Sequence, residues 1–185
     1  MNLAIKLFLA ILILTTTYGG TVNYLNKSFE TLKKSQCYTI FFRQKNIFLD
    51  KIRLYKGFLV KTSKKIEIVY LTNPPFLIKF DGNYIILGYE GRKKQIYPAK
   101  KYKNPILSIL INFDNLDNLF IQKDCEQNWC TLIPSKNLKK VIKSVKVFFK
   151  NGKPYKLEIY GDRRGRNKVL ITIDRISFTC PKEKQ

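Results

Sequence analysis

From Tyr38 to Phe178 the apolar residues return again and again to a period of two, with turn-forming residues at short intervals. That alternation leaves an antiparallel sheet as the main thing the chain can build. The predicted strands are Tyr38–Lys45, Arg53–Lys61, Lys65–Leu71, Phe76–Phe80, Tyr84–Tyr89, Lys94–Tyr97, Phe120–Asp124, Cys130–Pro134, Ser144–Lys150, Tyr155–Gly161 and Lys168–Phe178. Asn73-Pro74-Pro75, Asp81-Gly82-Asn83, Glu90-Gly91 and Asn151-Gly152 separate them, the last a strong hairpin signal. Aromatic residues are 14% of the sequence, with 13 Phe and 11 Tyr, a bias that suits strands.

Helical spacing occurs twice. Val22, Leu25, Phe29 and Leu32 recur at intervals of three and four, predicting an amphipathic helix ahead of the first strand. Asn104-Pro105 supplies an N-cap and a proline at the first helical position. Ile106, Leu107, Ile109, Leu110 and Ile111 then make a short helix apolar nearly all round, and Asp114–Phe120 is expected to add a turn. The expected fold is mainly β (α+β): about eleven strands in one strongly curved sheet or incomplete barrel, with an N-terminal helix and an inserted apolar one. At 185 residues this is one domain, and no repeat or linker divides it.

The first residues read differently. Lys6 precedes an unbroken apolar run from Leu7 to Leu14, followed by Thr15–Gly20, small and polar apart from Tyr18. This is the pattern of a secretory signal peptide, and the run is far shorter than the ~20 residues that span a bilayer. Residues 1–19 are expected to be removed, leaving 20–185 as one mature domain. No cysteine stands at the cleavage point, so the mature protein is expected to be exported, soluble and not lipid-anchored. In an oxidising compartment the four cysteines are expected to form two disulfides, for which three pairings exist. Cys125 and Cys130 suit a bridge across a hairpin mouth, and Cys37 and Cys180 would then tie the start of the mature fold to its end. A zinc site would want CxxC spacing, which is missing.

Composition removes several function classes. Without histidine there is no Ser-His-Asp or Cys-His catalysis and no His-ligated metal, and the remaining carboxylates and lysines form no tight cluster. Neither an enzyme nor a cofactor is expected. The net charge is +22, but 28 of the 35 cations are Lys, spread along the chain to Lys184. A nucleic-acid site would concentrate Arg among aromatics, so the charge reads as a solvated outer face that favours anionic lipid or acidic partners.

The strand pair from Phe58 to Tyr70 carries the most informative pattern. Phe58, Val60, Ile66, Ile68 and Tyr70 read as one apolar face, continued by Phe76, Ile78 and Phe80, while Lys61, Lys65, Glu67 and Lys79 read as the other. Such a face is either core, covered by the 106–111 helix, or the wall of a hollow with that helix as a lid. Periodicity does not distinguish a filled barrel from an empty one.

With these motifs in order, the chain resembles the LolA family of periplasmic lipoprotein carriers. Phe42-Arg43-Gln44 matches that family's Phe-x-Gln, and Gly57-Phe58-Leu59-Val60-Lys61 its Gly-x-Leu-x-x-Lys-type strand. Pro74 or Pro75 with Asp81-Gly82, Ile85-Ile86 and Tyr89 looks like its Pro…Asp-Gly-x-x-Leu-Trp-x-Tyr stretch. Asn104-Pro105 is similar to the lid opening, Leu132-Ile133-Pro134 to Leu-Thr-Pro, and Asn151-Gly152 with Asp162 and Gly165 to the late hairpins. The resemblance implies an incomplete barrel whose apolar interior receives lipoprotein acyl chains from an inner-membrane lipoprotein-releasing ABC transporter and passes them to an outer-membrane receptor, with the protein monomeric.

The implied cavity would use Phe42, Phe58, Val60, Ile66, Ile68, Tyr70, Phe76, Ile78, Phe80 and Ile86, under a lid of Ile106, Leu107, Leu110 and Ile111. The family's lid-latching Arg falls on Thr62, expected to hydrogen-bond a lid carbonyl instead, and its following aromatic falls on Ile68. The other readings are a LolA- or LolB-like lipid-binding or envelope-sensing module without transport, and a basic protein that binds nucleic acid or anionic polymer, against which the export signal and dispersed Lys argue.

Overall fold

The computed structural model describes residues 25, 27–49, 51–102, 104–126, 128–135, 138–161 and 167–179. The expected signal peptide, 1–19, and Cys180 lie outside them. Among the described residues, no helix is long and apolar enough to cross a membrane.

A short helix, α1 (27–34), leads into β1 (Tyr38–Phe48), β2 (Lys51–Lys61), β3 (Ile66–Tyr70), β4 (Phe76–Phe80), β5 (Tyr84–Tyr89) and β6 (Gln95–Pro98). Helix α2 (Pro105–Ile111) follows, then a single 3-10 turn at Leu116–Asn118. The chain continues through β7 (Phe120–Glu126), β8 (Trp129–Pro134), β9 (Ile142–Lys150), β10 (Lys153–Gly161) and β11 (Asn167–Ser177). All eleven strands form one antiparallel sheet in the order β6-β5-β4-β3-β2-β1-β11-β10-β9-β8-β7. Its two edges, β6 and β7, do not pair, so the barrel is incomplete, as the alternation predicted. Bulges in β11 at Asp174, opposite Phe41 and Phe42, and in β10 at Tyr155 help to bend the sheet.

Turn chemistry explains most connections. Asn151 and Gly152 both take positive φ, 52° and 71°, as a tight hairpin between β9 and β10 requires. Asp81 turns β4 into β5 by accepting from the backbone N–H groups of Asn83 and Tyr84 at 2.9 and 2.7 Å. Asn104 caps α2, its side chain accepting from the Leu107 N–H at 3.0 Å, with Pro105 in the first turn. The Cys125–Cys130 disulfide joins directly paired residues of the β7–β8 hairpin. Cys37 is also disulfide-bonded.

The concave face carries the core, with α1 packed over one end. A cavity of about 650 Å³ lies there between α1 and the β9–β10 hairpin, and further cavities lie at the other end. Leu25, Phe29 and Leu32 of the amphipathic N-terminal pattern are buried, and Phe29 meets Phe113 and Phe149 edge-on at 5.6 and 6.3 Å. With Tyr38, Ile40, Phe42, Leu59 and Ile68 these residues make a dense core at the end of the sheet where β1 begins. Gly57 sits opposite Tyr70, and a Cβ there would collide with the Val69 carbonyl, so β2 and β3 approach closely only because this residue has no side chain. At the far end, where β1 and β2 run on to Phe48 and Lys51, the core stops and the interior opens.

Candidate functional site

The open end holds two chambers on either side of Ile106. One, about 350 Å³, lies between α2 and the β3–β5 wall and is lined by Tyr70, Phe76, Ile78, Leu87, Leu107 and Leu110, with Gln44, Asn46 and Tyr55 along its floor. The other, about 500 Å³, runs under Pro105 and Ile106 to Val141, Ile142, Ile159 and Val169, with Phe48, Lys51, Arg53 and Lys168 at its rim. Both are of small-ligand size. No Asp or Glu lines either one among the described residues. Their walls offer aliphatic and aromatic surface with a few hydrogen-bonding groups, a lining suited to binding apolar chains.

The polar floor is internally satisfied. Gln44 is buried, donates from Nε2 to Asn46 Oδ1 at 2.8 Å, and accepts at Oε1 from the Tyr70 hydroxyl at 3.0 Å. Burial, together with the Tyr55 hydroxyl, pushes the Tyr70 phenol up to about 12, so it stays a neutral donor. The Tyr70 ring is wedged between Phe42 and Tyr55, with both centroids at 5.7 Å.

Helix α2 buries Leu107, Ile109 and Leu110 along its length. Its C-terminal continuation is tied down: Phe113 is buried against Phe29, and Asp114 receives the Lys61 ammonium at 2.8 and 2.6 Å. The Asp114 side chain is 7% exposed and that of Lys61 31%. Burial and the adjacent Asp114 carboxylate push the Tyr38 phenol above its ordinary value. At the other end Asn104 is exposed at the mouth of the chambers.

Several predicted positions need correction. Phe58 and Val60 lie on the convex face, not with Ile66, Ile68 and Tyr70. The four-residue β2–β3 connection sets Leu59 opposite Ile68 and Gly57 opposite Tyr70, so the odd residues of β2 share the concave face with the even residues of β3. Phe58 instead meets Phe41 at 6.1 Å, and the Arg175 guanidinium covers Phe41 at 4.3 Å. The same register places Lys61 inside, where it reaches Asp114. Ile86 also faces outward, because Ile78 pairs with Leu87, and Leu87 takes the wall position. The Thr62 hydroxyl bonds within its own turn and not to a lid carbonyl: it accepts from the N–H groups of Lys64 and Lys65 at 3.3 and 3.2 Å and donates to the Lys65 carbonyl at 3.2 Å.

Of the other predicted residues, Tyr70, Phe76, Ile78, Ile106, Leu107 and Leu110 line the chambers. Phe42, Ile66, Ile68, Phe80 and Ile111 belong to the packed core or lean against it. Gln44, Asn46 and Tyr55 were not among the predicted cavity residues. Gln44 was visible as the last residue of the Phe42-Arg43-Gln44 motif, whereas nothing local marks Asn46 or Tyr55.

No protein-family model matches the sequence, and no curated protein does. Solved structures are similar in fold. A LolA superfamily protein from Nitrosomonas europaea superposes with a TM-score of 0.53 at 9% identity, over 88% of this chain and 94% of that one. A DUF1329 family protein from Desulfovibrio piger reaches 0.46 at 10% identity over 84% and 91%, and the Mycobacterium tuberculosis lipoprotein LppX 0.47 at 8% over 86% and 96%. The likeness to the first of these is one of fold, and the chain has a LolA-like fold.

Proposed function

We propose that this protein is a periplasmic carrier that shelters lipoprotein acyl chains and ferries them from the inner to the outer membrane. In this reading residues 1–19 direct export, an inner-membrane lipoprotein-releasing ABC transporter loads the carrier, and an outer-membrane receptor unloads it. The observation that carries the reading is the pair of apolar chambers divided by Ile106 on the concave face of the sheet. Each CH₂ moved there from water is worth ~0.8 kcal/mol, so even part of an acyl chain supplies useful affinity.

Helix α2 is the mobile element of this reading. Anchored through Phe113 and Asp114, it swings its Asn104 end outward to admit a chain, and the closed arrangement competes with ligand for the same apolar surface. Such competition keeps binding reversible.

The test is displacement of a fluorescent apolar probe by a synthetic diacylated lipopeptide. Displacement is expected at micromolar lipopeptide. Ile106→Trp, which fills the space between the chambers, is expected to weaken it at least ~10-fold, on the scale of ~1.4 kcal/mol. No displacement from the wild-type protein overturns the proposal.

A further inference from the structure

Beyond the chambers, the β1–β2 hairpin outruns β3, while β1 stays paired with β11 as far as Phe48. Pairing of β2 with β3 begins at Gly57, so residues 51–55 of β2 bond only to β1. The hairpin tip is apolar and exposed: Leu49 52%, Ile52 57% and Leu54 73%. On its convex side Ile47 pairs with Ile52 and Lys45 with Leu54, interleaving aliphatic groups with ammonium groups. Between Lys45 and Lys56 the sequence holds four cations, Lys45, Lys51, Arg53 and Lys56, against one acid, Asp50.

Exposed aliphatic side chains ringed by cations are poorly explained by fold stability, since none of these three leucines and isoleucines contributes to the core. Anionic lipid offers both the headgroup charge and the interfacial apolar layer that such a surface fits. The hairpin also borders the second chamber, whose rim carries Lys51, Arg53 and Lys168. An anionic surface held against the tip therefore lies at the chamber mouth.

We propose that the β1–β2 hairpin docks on anionic membrane surfaces, with Leu49, Ile52 and Leu54 entering the interface and Lys45 and Lys56 pairing with lipid headgroups. The proposal rests on the carrier reading for its purpose, but its test is separate. Co-sedimentation with vesicles of phosphatidylcholine alone, or with added phosphatidylglycerol, measures docking; lipopeptide displacement in solution measures the chambers.

Wild-type protein is expected to bind phosphatidylglycerol vesicles roughly tenfold more tightly than neutral ones, with the difference falling in high salt. Ile52→Ser/Leu54→Ser and, separately, Lys45→Gln/Lys56→Gln are each expected to lower that binding about tenfold, with solution displacement unchanged, because none of the four lines a chamber. Indifference to phosphatidylglycerol, or vesicle binding that survives both double substitutions, overturns the proposal. So does a dimer in sedimentation velocity that Ile52→Ser/Leu54→Ser abolishes, which would assign the tip to a second copy of the chain. Displacement without vesicle binding leaves the carrier reading standing and removes docking alone.

Discussion

Lys61→Met strips the Asp114 carboxylate of its cation while leaving it 7% exposed against the buried Tyr38. Removing one partner of a buried ion pair costs about 3–5 kcal/mol, because the remaining charge is stranded away from water. The reverse change is milder. Asp114→Asn leaves the Lys61 ammonium, and that side chain, 31% exposed, has a route to solvent while the amide keeps a hydrogen-bond acceptor. A loss of about 1–2 kcal/mol is expected there. In a domain of this size each kcal/mol moves the Tm by about 2–4 °C, so Lys61→Met is expected to lower it by about 6–20 °C and Asp114→Asn by about 2–8 °C. Thermal and urea unfolding by circular dichroism give both values. Lys61→Met/Asp114→Leu is expected to recover much of the loss, since apolar replacement of a buried pair is often near neutral. If Asp114→Asn costs as much as Lys61→Met, or if both stay within the ~0–1 kcal/mol of a surface pair, the anchoring role assigned to this contact is refuted.

Glu158 on the convex face supplies a pH test. Burial by itself would raise its pKa, but hydrogen bonds from Lys156, Tyr160 and Lys168 outweigh it and lower the carboxyl from 4.5 to about 2. A depressed carboxylate adds stability that is complete above about pH 4.5 and is lost as pH falls towards about 2, so Glu158→Gln is expected to flatten the urea midpoint across that window. Cys125→Ser/Cys130→Ser opens a loop with a sequence separation of 5, worth about 2 kcal/mol in the chain-entropy model, and the same shift is expected on reducing this bridge in the wild type.

The elements themselves were legible in the sequence. Phe76–Phe80 and Tyr84–Tyr89 have the bounds that their alternation predicts, because Asn73-Pro74-Pro75 and Asp81-Gly82-Asn83 stop the chain on either side. Asn104-Pro105 likewise marked the start of α2. Parity across a connection was not legible. Phe58-Leu59-Val60 and Ile85-Ile86-Leu87 are each apolar on both faces, so side-chain type does not say which residues point inward, and the register set by the turn decides it. Lys61 looked like a solvent-facing lysine because its partner, Asp114, lies 53 residues further on. The polar floor escaped notice for a different reason. A search for greasy walls passes over Gln44 and Asn46, whose hydrogen bonds make them acceptable inside only after Tyr70 is brought alongside.

The strand order also constrains how the molecule is assembled. β1 and β11, the first and last strands made, are neighbours in the middle of the sheet, paired from Thr39↔Ser177 to Phe48↔Asn167. Each flank, β1 to β6 and β7 to β11, is a meander of local hairpins, but the seam between them closes a loop of more than a hundred residues, the slow kind of contact to form. A nascent chain therefore has no means of shutting the sheet until its final strand is delivered. Removing β11 would split the sheet into two meanders and add unpaired edges on β1 and β10 to those that β6 and β7 already present.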